Sequence, residues 1–146
     1  QASLAFGQLS QRYPKNPFFA LKYAECLVHL GRYYEAKNYF VKFQQFSSPM
    51  YQIGQRILQG LIAERLQKNS KAAKKWYAEA LKIQGFDQRY SRDFRALAKA
   101  GLARILATKA TREARKAAKA LYKQARKHTE YDWLKQQIRQ AVKRLK

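Results

Sequence analysis

The sequence predicts an all-α fold of stacked antiparallel helix hairpins, and a recurring spacing is the main reason. An Ala is followed four residues later by an aromatic residue, and a small or apolar residue comes three positions after that. On a helix this spacing places the three side chains on one stripe. The composition agrees, because Ala, Leu, Lys, Arg and Gln are frequent and the 146 residues include only three Pro.

The pattern occurs four times, at successive offsets of 34, 37 and 45 residues. The sets are Ala2, Phe6 and Leu9; Ala36, Phe40 and Phe43; Ala73, Tyr77 and Ala80; and Ala118, Tyr122 and Ala125. A repeat of this period is the signature of arrays in which neighbouring hairpins bury a continuous core.

The clearest unit spans 17–50, with A-L-K-Y-A-E-C-L-V-H-L-G-R-Y-Y-E-A-K-N-Y-F at its centre. Small residues at Ala24 and Ala36 allow two helices to approach closely, and Gly31 permits a tight turn between them. These residues, with Tyr33 and Phe40, resemble the tetratricopeptide repeat at nearly every signature position. Pro49 lies one residue past the usual terminal proline of that family.

This resemblance implies a right-handed α-solenoid of one domain, 1–146, with five segments. They are a trailing helix of a preceding repeat (1–14), a repeat (17–50), a second repeat (51–84), a degenerate repeat (90–127) and a capping helix (130–146). The resemblance is strong up to residue 83 and weak beyond it. We therefore expect the chain to begin within an array.

The second and third units depart from the family spacing. In the second, Gly60 is the small residue and Q-K-N-S forms the turn. In the third, Gly101 is the small residue, helices are expected near 92–108 and 111–127, and extra residues fall around Q-G-F-D-Q-R-Y and after Gly101. A generic helical hairpin remains the alternative for the third unit.

A last helix is predicted after Thr129, which is interpreted as its N-cap. Its apolar residues share one side and its basic residues lie opposite. The apolar set is Tyr131, Leu134, Ile138, Ala141, Val142 and Leu145, and the basic set is Lys135, Arg139 and Lys143. This pattern favours a helix that caps the edge of the array. The alternative is a detachable amphipathic helix that binds a partner.

The sequence offers no catalytic or cofactor motif. His29 and His128 have no metal-ligand spacing to Cys, Asp or Glu, and Cys26 lies in an apolar helical pattern that indicates a core residue. The glycines form no phosphate-binding loop. We therefore expect a protein that is not an enzyme and needs no metal or cofactor.

The family resemblance implies a concave groove lined by the first helix of each repeat. Its positions here are Leu21, Glu25, Val28 and His29, then Ile57, Leu61, Glu64 and Arg65, then Ala98, Leu102, Ile105 and Leu106. Leu21 and Glu25 occupy places where the family's clamp for a C-terminal carboxylate has Lys and Asn. Binding of a C-terminal carboxylate is therefore not expected. The groove suits an amphipathic peptide or helix, unless the chain's own extra helices fill it.

Charge is the unusual property of this chain, at +22 overall. Residues 104–146 hold fourteen basic and three acidic side chains, a net +11. Five of the basic residues follow one helical face: Arg112, Lys116, Lys119, Lys123 and Lys127. Like charges one turn apart repel by about 0.2–0.5 kcal/mol each. This basic ridge therefore indicates a surface for an anionic partner, although a merely solvated face is the alternative.

These features predict an interaction scaffold for a protein or peptide partner, one with an acidic surface. Nucleic acid bound through phosphate contacts is the alternative, for which Trp76 and Trp133 near lysines are the only interleaved aromatics. An anionic membrane surface is the third and weaker candidate partner. No apolar run reaches the roughly 20 residues of a membrane span, so we expect a soluble segment, cytoplasmic or periplasmic. The sequence does not indicate an oligomeric state.

Overall fold

Eight α-helices form the secondary structure of the part of the chain that the structure describes. The structure is a computed structural model that describes residues 2–41, 49–83 and 88–145, without the side chains of 40–41, 50 and 88–91. The helices are α1 (Ala2–Arg12), α2 (Pro17–His29), α3 (Tyr33–Val41), α4 (Pro49–Arg65), α5 (Ser70–Lys82), α6 (Gln88–Ala107), α7 (Arg112–His128) and α8 (Asp132–Arg144). No strand occurs in these ranges, and the predicted all-α class is confirmed.

Short polar side chains set the starts of three helices. Asn16 Oδ1 accepts a hydrogen bond from the Phe18 backbone N–H at 3.0 Å, with Pro17 at the first helical position. Asn69 Oδ1 accepts from the Ala72 N–H at 3.0 Å, and Thr111 Oγ1 accepts from the Ala114 N–H at 3.1 Å. Each bond satisfies one of the backbone donors that a helix N-terminus leaves without an intrahelical partner.

The predicted tight turn at Gly31 is confirmed. Gly31 has a φ of 76°, a backbone conformation that residues other than glycine rarely adopt. The Arg32 N–H donates to the Leu27 carbonyl at 2.8 Å and the Gly31 N–H donates to the Val28 carbonyl at 3.0 Å. This arrangement ends α2 and lets the chain reverse into α3 within three residues.

Helices that follow one another along the chain pack together, and a second set of contacts links alternate helices. The contact between α4 and α5 is extensive, as is that between α6 and α7, so both pairs are hairpins. In addition α2 contacts α4, and α4 contacts α6. The observed α6 begins four residues before the helix predicted near 92–108 and ends one residue before its end, and α7 is shifted by one residue from 111–127.

Tyr77 fills the space between three helices, and two glycines make room for it. A Cβ at Gly60 would lie 2.5 Å from the Tyr77 ring, and a Cβ at Gly101 would lie at the same distance. Ala24 and Ala36 are also fully buried, at 0% exposure. The small residues chosen from the sequence therefore lie where helices pack closely.

The prediction that Thr129 caps the last helix is wrong. Thr129 is the C-cap of α7, and Tyr131 holds the N-cap position of α8 without a side-chain hydrogen bond. Thr129 lies two residues before that position, where its Oγ1 accepts from the Tyr131 backbone N–H at 3.1 Å and donates to Asp93 Oδ1 of α6 at 2.7 Å. The predicted apolar face of α8 is confirmed: Leu134 and Ile138 are buried, and Tyr131, Ala141, Val142 and Leu145 pack against the core.

Parts of the predicted repeat pattern lie outside the described residues. These are Phe43, the side chain of Phe40, and most of the insertion around Q-G-F-D-Q-R-Y.

Candidate functional site

The apolar positions of the expected groove are largely core residues. Leu21, Val28, Ile57 and Leu61 are 3%, 0%, 1% and 4% exposed. In the third unit Ala98 and Ile105 are buried, while Leu102 and Leu106 are partly buried against the same core. These side chains stabilise the helix stack, and little of their surface remains for a ligand.

Side chains of the chain's own last helix lie near residues of α2, α4 and α6 that belong to the expected groove. The Trp133 ring meets His29 edge-on with 4.8 Å between ring centroids, and it stacks on Tyr131 at 5.6 Å. A cavity of about 400 Å³ between these helices is lined by His29, Leu61, Arg65, Leu97, Arg104, Trp133, Leu134 and Gln137. This placement agrees with the alternative in which the extra helices of the chain occupy the groove.

Glu25, one of the two acidic positions of the expected groove, is buried beside a lysine and a histidine. Its carboxylate lies 3.2 Å from Lys22 Nζ and 3.7 Å from His29 Nε2. Burial raises the pKa of the Glu25 carboxyl, but the contacts with His29 and Lys22 outweigh it and hold that pKa below its usual value. Glu25 is therefore charged and satisfied within the fold.

Glu64, the second acidic position, joins three helices. Arg104 of α6 donates to both of its carboxylate oxygens, at 2.8 and 3.0 Å, and the Tyr77 hydroxyl of α5 donates at 2.7 Å. Burial raises the pKa of the Glu64 carboxyl, yet the hydrogen bonds and charge of Arg104 outweigh it and lower that pKa overall. The sequence could not show this cluster, because Arg104 is 40 residues away along the chain.

Arg65 stands beside this cluster with a neutral partner. Its Nη1 donates to the Tyr33 hydroxyl at 3.2 Å. Together with Arg104 it faces the cavity beneath α8. The four polar groove positions thus lie on one side of the molecule, but in two clusters, one around Glu25 and His29 and one around Glu64 and Arg65.

The basic ridge lies on the exposed face of α7. All five of its side chains are exposed, and Ala114, Ala118, Tyr122 and Ala125 bury the opposite face. From Arg112 to Lys127 the ridge is about 22 Å long, at 1.5 Å of rise per residue. The amphipathic pattern read from the sequence therefore places the ridge where a partner can reach it.

The ridge cations have no acidic partners in the part of the chain that the structure describes. None of the five lies in an ion pair there. Glu113 is the only acid in α7, whereas Arg115 and Arg126 add two more exposed cations to the same helix. The charge of this face is therefore directed to solvent.

Trp76 and Trp133, the aromatic candidates for stacking on bases, contact side chains of this chain. The Arg56 guanidinium lies 5.8 Å from the centroid of the Trp76 ring, and Trp133 contacts His29 and Tyr131. On α7 itself Tyr122 is the only Tyr, Phe or Trp, and it is 3% exposed. The ridge thus offers charge without an aromatic stacking surface.

Within the described ranges no helix has the length and apolar character needed to cross a bilayer. The same ranges contain no group of three or more His, Cys, Asp or Glu side chains placed to hold a metal ion. Cys26 is a free, partly buried thiol whose pKa is raised by burial and by the charge of Glu25.

Comparison with known proteins adds no assignment. No family model matches the chain, and no curated protein or solved structure is significantly similar to it. The tetratricopeptide resemblance therefore rests on the residues quoted above and stays a prediction.

Proposed function

We propose that this chain is a non-enzymatic interaction module that binds an acidic protein surface through the basic ridge of α7. The observation that carries the proposal is the set of five exposed, regularly spaced cations without ion-pair partners among the described residues. Alternating Glu at such positions would relieve the repulsion of about 0.2–0.5 kcal/mol per pair. A partner with matching carboxylates would supply that relief on binding and would speed association.

The scaffold behind the ridge is proposed to be a tetratricopeptide-like right-handed solenoid. The contacts of α2 with α4 and of α4 with α6 support it, since first helices of successive repeats pack side by side in such arrays. In this proposal α8 is the capping helix, and it lies against the groove side. The ridge is therefore favoured over the groove as the primary binding surface.

Nucleic acid is the second candidate, because the ridge spacing also suits a phosphate backbone. Neighbouring ridge cations are about 5–6 Å apart on the helix surface, and the chain has a net charge of +22. The absence of an exposed Tyr, Phe or Trp on α7 favours the acidic protein, because single-stranded binding gains about 1–3 kcal/mol per stacked base.

Equilibrium titrations with three labelled probes test the proposal: an acidic helical peptide with Glu at every fourth position, a single-stranded RNA and a duplex DNA. We expect the peptide to bind at about 50 mM salt. Its affinity should fall about tenfold or more in the triple variant Lys116→Gln, Lys119→Gln, Lys123→Gln. The matched control is Lys71→Gln, Lys74→Gln, Lys75→Gln, which removes the same charge from exposed positions of α5. It should retain affinity.

Equal weakening by the ridge variant and the α5 variant would show that net charge, not the ridge, drives association. Tighter binding of RNA or DNA than of the peptide, with affinity falling by orders of magnitude between about 50 and 200 mM salt, would replace the acidic protein with nucleic acid. Failure of all three probes to bind would refute the proposal.

A further inference from the structure

A second cationic feature lies in a half-open cleft between helices rather than on the exposed face of α7. A cavity of about 420 Å³ lies between α4, α6, α7 and α8, and its polar lining is Arg65, Arg104, Tyr122, Gln137, Gln140 and Arg144. Three arginines from three different helices therefore line one space. Among the residues that the structure describes, no carboxylate lines it.

The charge in this space is not balanced by the described residues. Glu64 lies behind the lining and is already engaged, since it accepts two bonds from Arg104 and one from Tyr77. Arg65 donates to a neutral hydroxyl, and neither Arg65 nor Arg144 lies within an ion pair in the described ranges. Three positive charges against one negative charge leave a net +2 around the cavity.

We propose that this cavity, the arginine cleft, is a binding site for a small organic phosphate. A phosphomonoester carries close to two negative charges at neutral pH, which matches the net charge of the cleft. Guanidinium groups present paired N–H donors that fit phosphate oxygens bidentately. The amides of Gln137 and Gln140 add donors and acceptors on the α8 side of the cleft.

The size and the walls of the cleft favour an organic phosphate over the bare ion. Sites for small organic ligands span about 300–1,000 Å³, and this cleft falls in that range at about 420 Å³. Leu134, Ile138 and Ala100 contribute apolar wall beside the arginines. A phosphate with an attached carbon skeleton would use both parts of the lining.

Binding in the cleft would also tie α8 to the stack. Arg65 belongs to α4 and Arg104 to α6, whereas Gln137 and Arg144 belong to α8. A phosphate held by residues of both groups bridges α8 to α4 and α6. Amide hydrogen exchange in α8 should therefore slow in the presence of the ligand.

Calorimetric titration with phenyl phosphate tests this site, at a constant ionic strength of about 0.15 M so that screening stays fixed. We expect measurable binding, weaker binding of inorganic phosphate, and none of phenol. The affinity for phenyl phosphate should fall about tenfold or more in the Arg65→Gln, Arg144→Gln variant. The control Lys71→Gln, Lys75→Gln removes the same charge from exposed sites and should leave the affinity within about twofold.

Circular dichroism and thermal melting establish that each variant is folded. Arg144 is exposed, so Arg144→Gln alone provides the decisive comparison if the double variant melts early. Equal loss of affinity in the cleft and α5 variants, no binding of phenyl phosphate, or malonate binding as tightly as phenyl phosphate would each overturn the proposal.

The cleft does not depend on the proposed function of the ridge. The ridge triple variant should keep its affinity for phenyl phosphate, and the cleft variant should keep its affinity for the acidic peptide. Loss of both activities in either variant would contradict the existence of two separate sites.

Discussion

Glu64 shows how one side chain can join elements that are distant in sequence. It lies on α4, accepts the Tyr77 hydroxyl of α5, and pairs bidentately with Arg104 of α6. The side chains of Glu64 and Arg104 are 17% and 28% exposed, so part of the Coulomb attraction is retained against water. The pair therefore links three helices near the centre of the stack.

Glu64→Gln should lower the free energy of unfolding by about 2 kcal/mol at neutral pH, because Arg104 would remain partly buried without its counterion. The folded pKa of the Glu64 carboxyl lies below its unfolded value. This contribution is therefore complete above the unfolded pKa of about 4.3 and is lost as pH falls through the folded pKa. Urea unfolding from about pH 7 to pH 3 should show that the difference in unfolding free energy between wild type and variant closes below about pH 4.

Glu79→Gln is the matched control for that measurement. Glu79 is 37% exposed and lies 3.7 Å from Arg56, so its loss should cost less than about 1 kcal/mol. A gap for Glu64→Gln that is constant down to pH 3, or no larger than that of Glu79→Gln, would contradict the stabilising role of the Glu64 cluster.

At the scale of single helices, sequence signals were sufficient wherever the determinants are local. Gly31 predicted its turn, and the apolar stripe with the opposed cations of α7 predicted its buried and exposed faces. Thr129 was misassigned because α8 begins at Asp132, two residues later than an N-cap at Thr129 requires. Its hydroxyl donates a hydrogen bond to Asp93, 36 residues away, and nothing local signals that contact.

The ridge of α7 should reduce the stability of its own helix. Lys119 has Arg115, Lys116 and Lys123 within one turn, and all four are exposed. Lys119→Glu replaces three repulsive pairs by attractive ones, so we expect the free energy of unfolding to rise by about 1–3 kcal/mol at low salt. The gain should nearly vanish at about 1 M salt, where the screening length falls to about 3 Å. Thermal or urea unfolding at two salt concentrations provides the measurement.

Lys119→Gln serves as the control, because it removes repulsion without adding attraction and should give about half of that gain. A loss of stability with Lys119→Glu at low salt would mean that the ridge is already compensated. Lys119→Glu should also weaken binding of the acidic peptide, so that stability and peptide affinity change in opposite directions.

Across the whole molecule, the position of α8 was the part that the sequence could not predict. Its amphipathic pattern predicted a helix with a buried face, and Leu134 and Ile138 are buried as expected. Where that face packs depends on contacts with α6 and α2, such as Asp93 with Thr129 and His29 with Trp133. The arginine cleft was missed for the same reason, since its arginines come from three helices and only the tertiary arrangement brings them together.

The stability of the molecule should be uneven, with α8 held less firmly than the stack of α4 to α7. Besides the apolar contacts of its buried face, two hydrogen bonds anchor its start: Asp93 Oδ1 accepts from Thr129 Oγ1 at 2.7 Å and from the Glu130 N–H at 2.8 Å. Thr129 is 3% exposed, so its hydroxyl depends on this carboxylate. Local opening of α8 can therefore precede global unfolding.

Asp93→Ala should release α8 selectively. Leaving the buried Thr129 hydroxyl without its acceptor costs about 1–3 kcal/mol, which corresponds to amide exchange in α8 that is roughly 5- to 150-fold faster. Exchange in α4 and α5 should stay unchanged, because neither helix loses a contact. Asp132→Ala is the control, since Asp132 is exposed at the start of α8 and contributes only about 0.3–1 kcal/mol through the helix dipole. Faster exchange throughout α4 to α8 would instead show that α8 opens only with the whole molecule, and no change in α8 would show that its apolar face alone holds it.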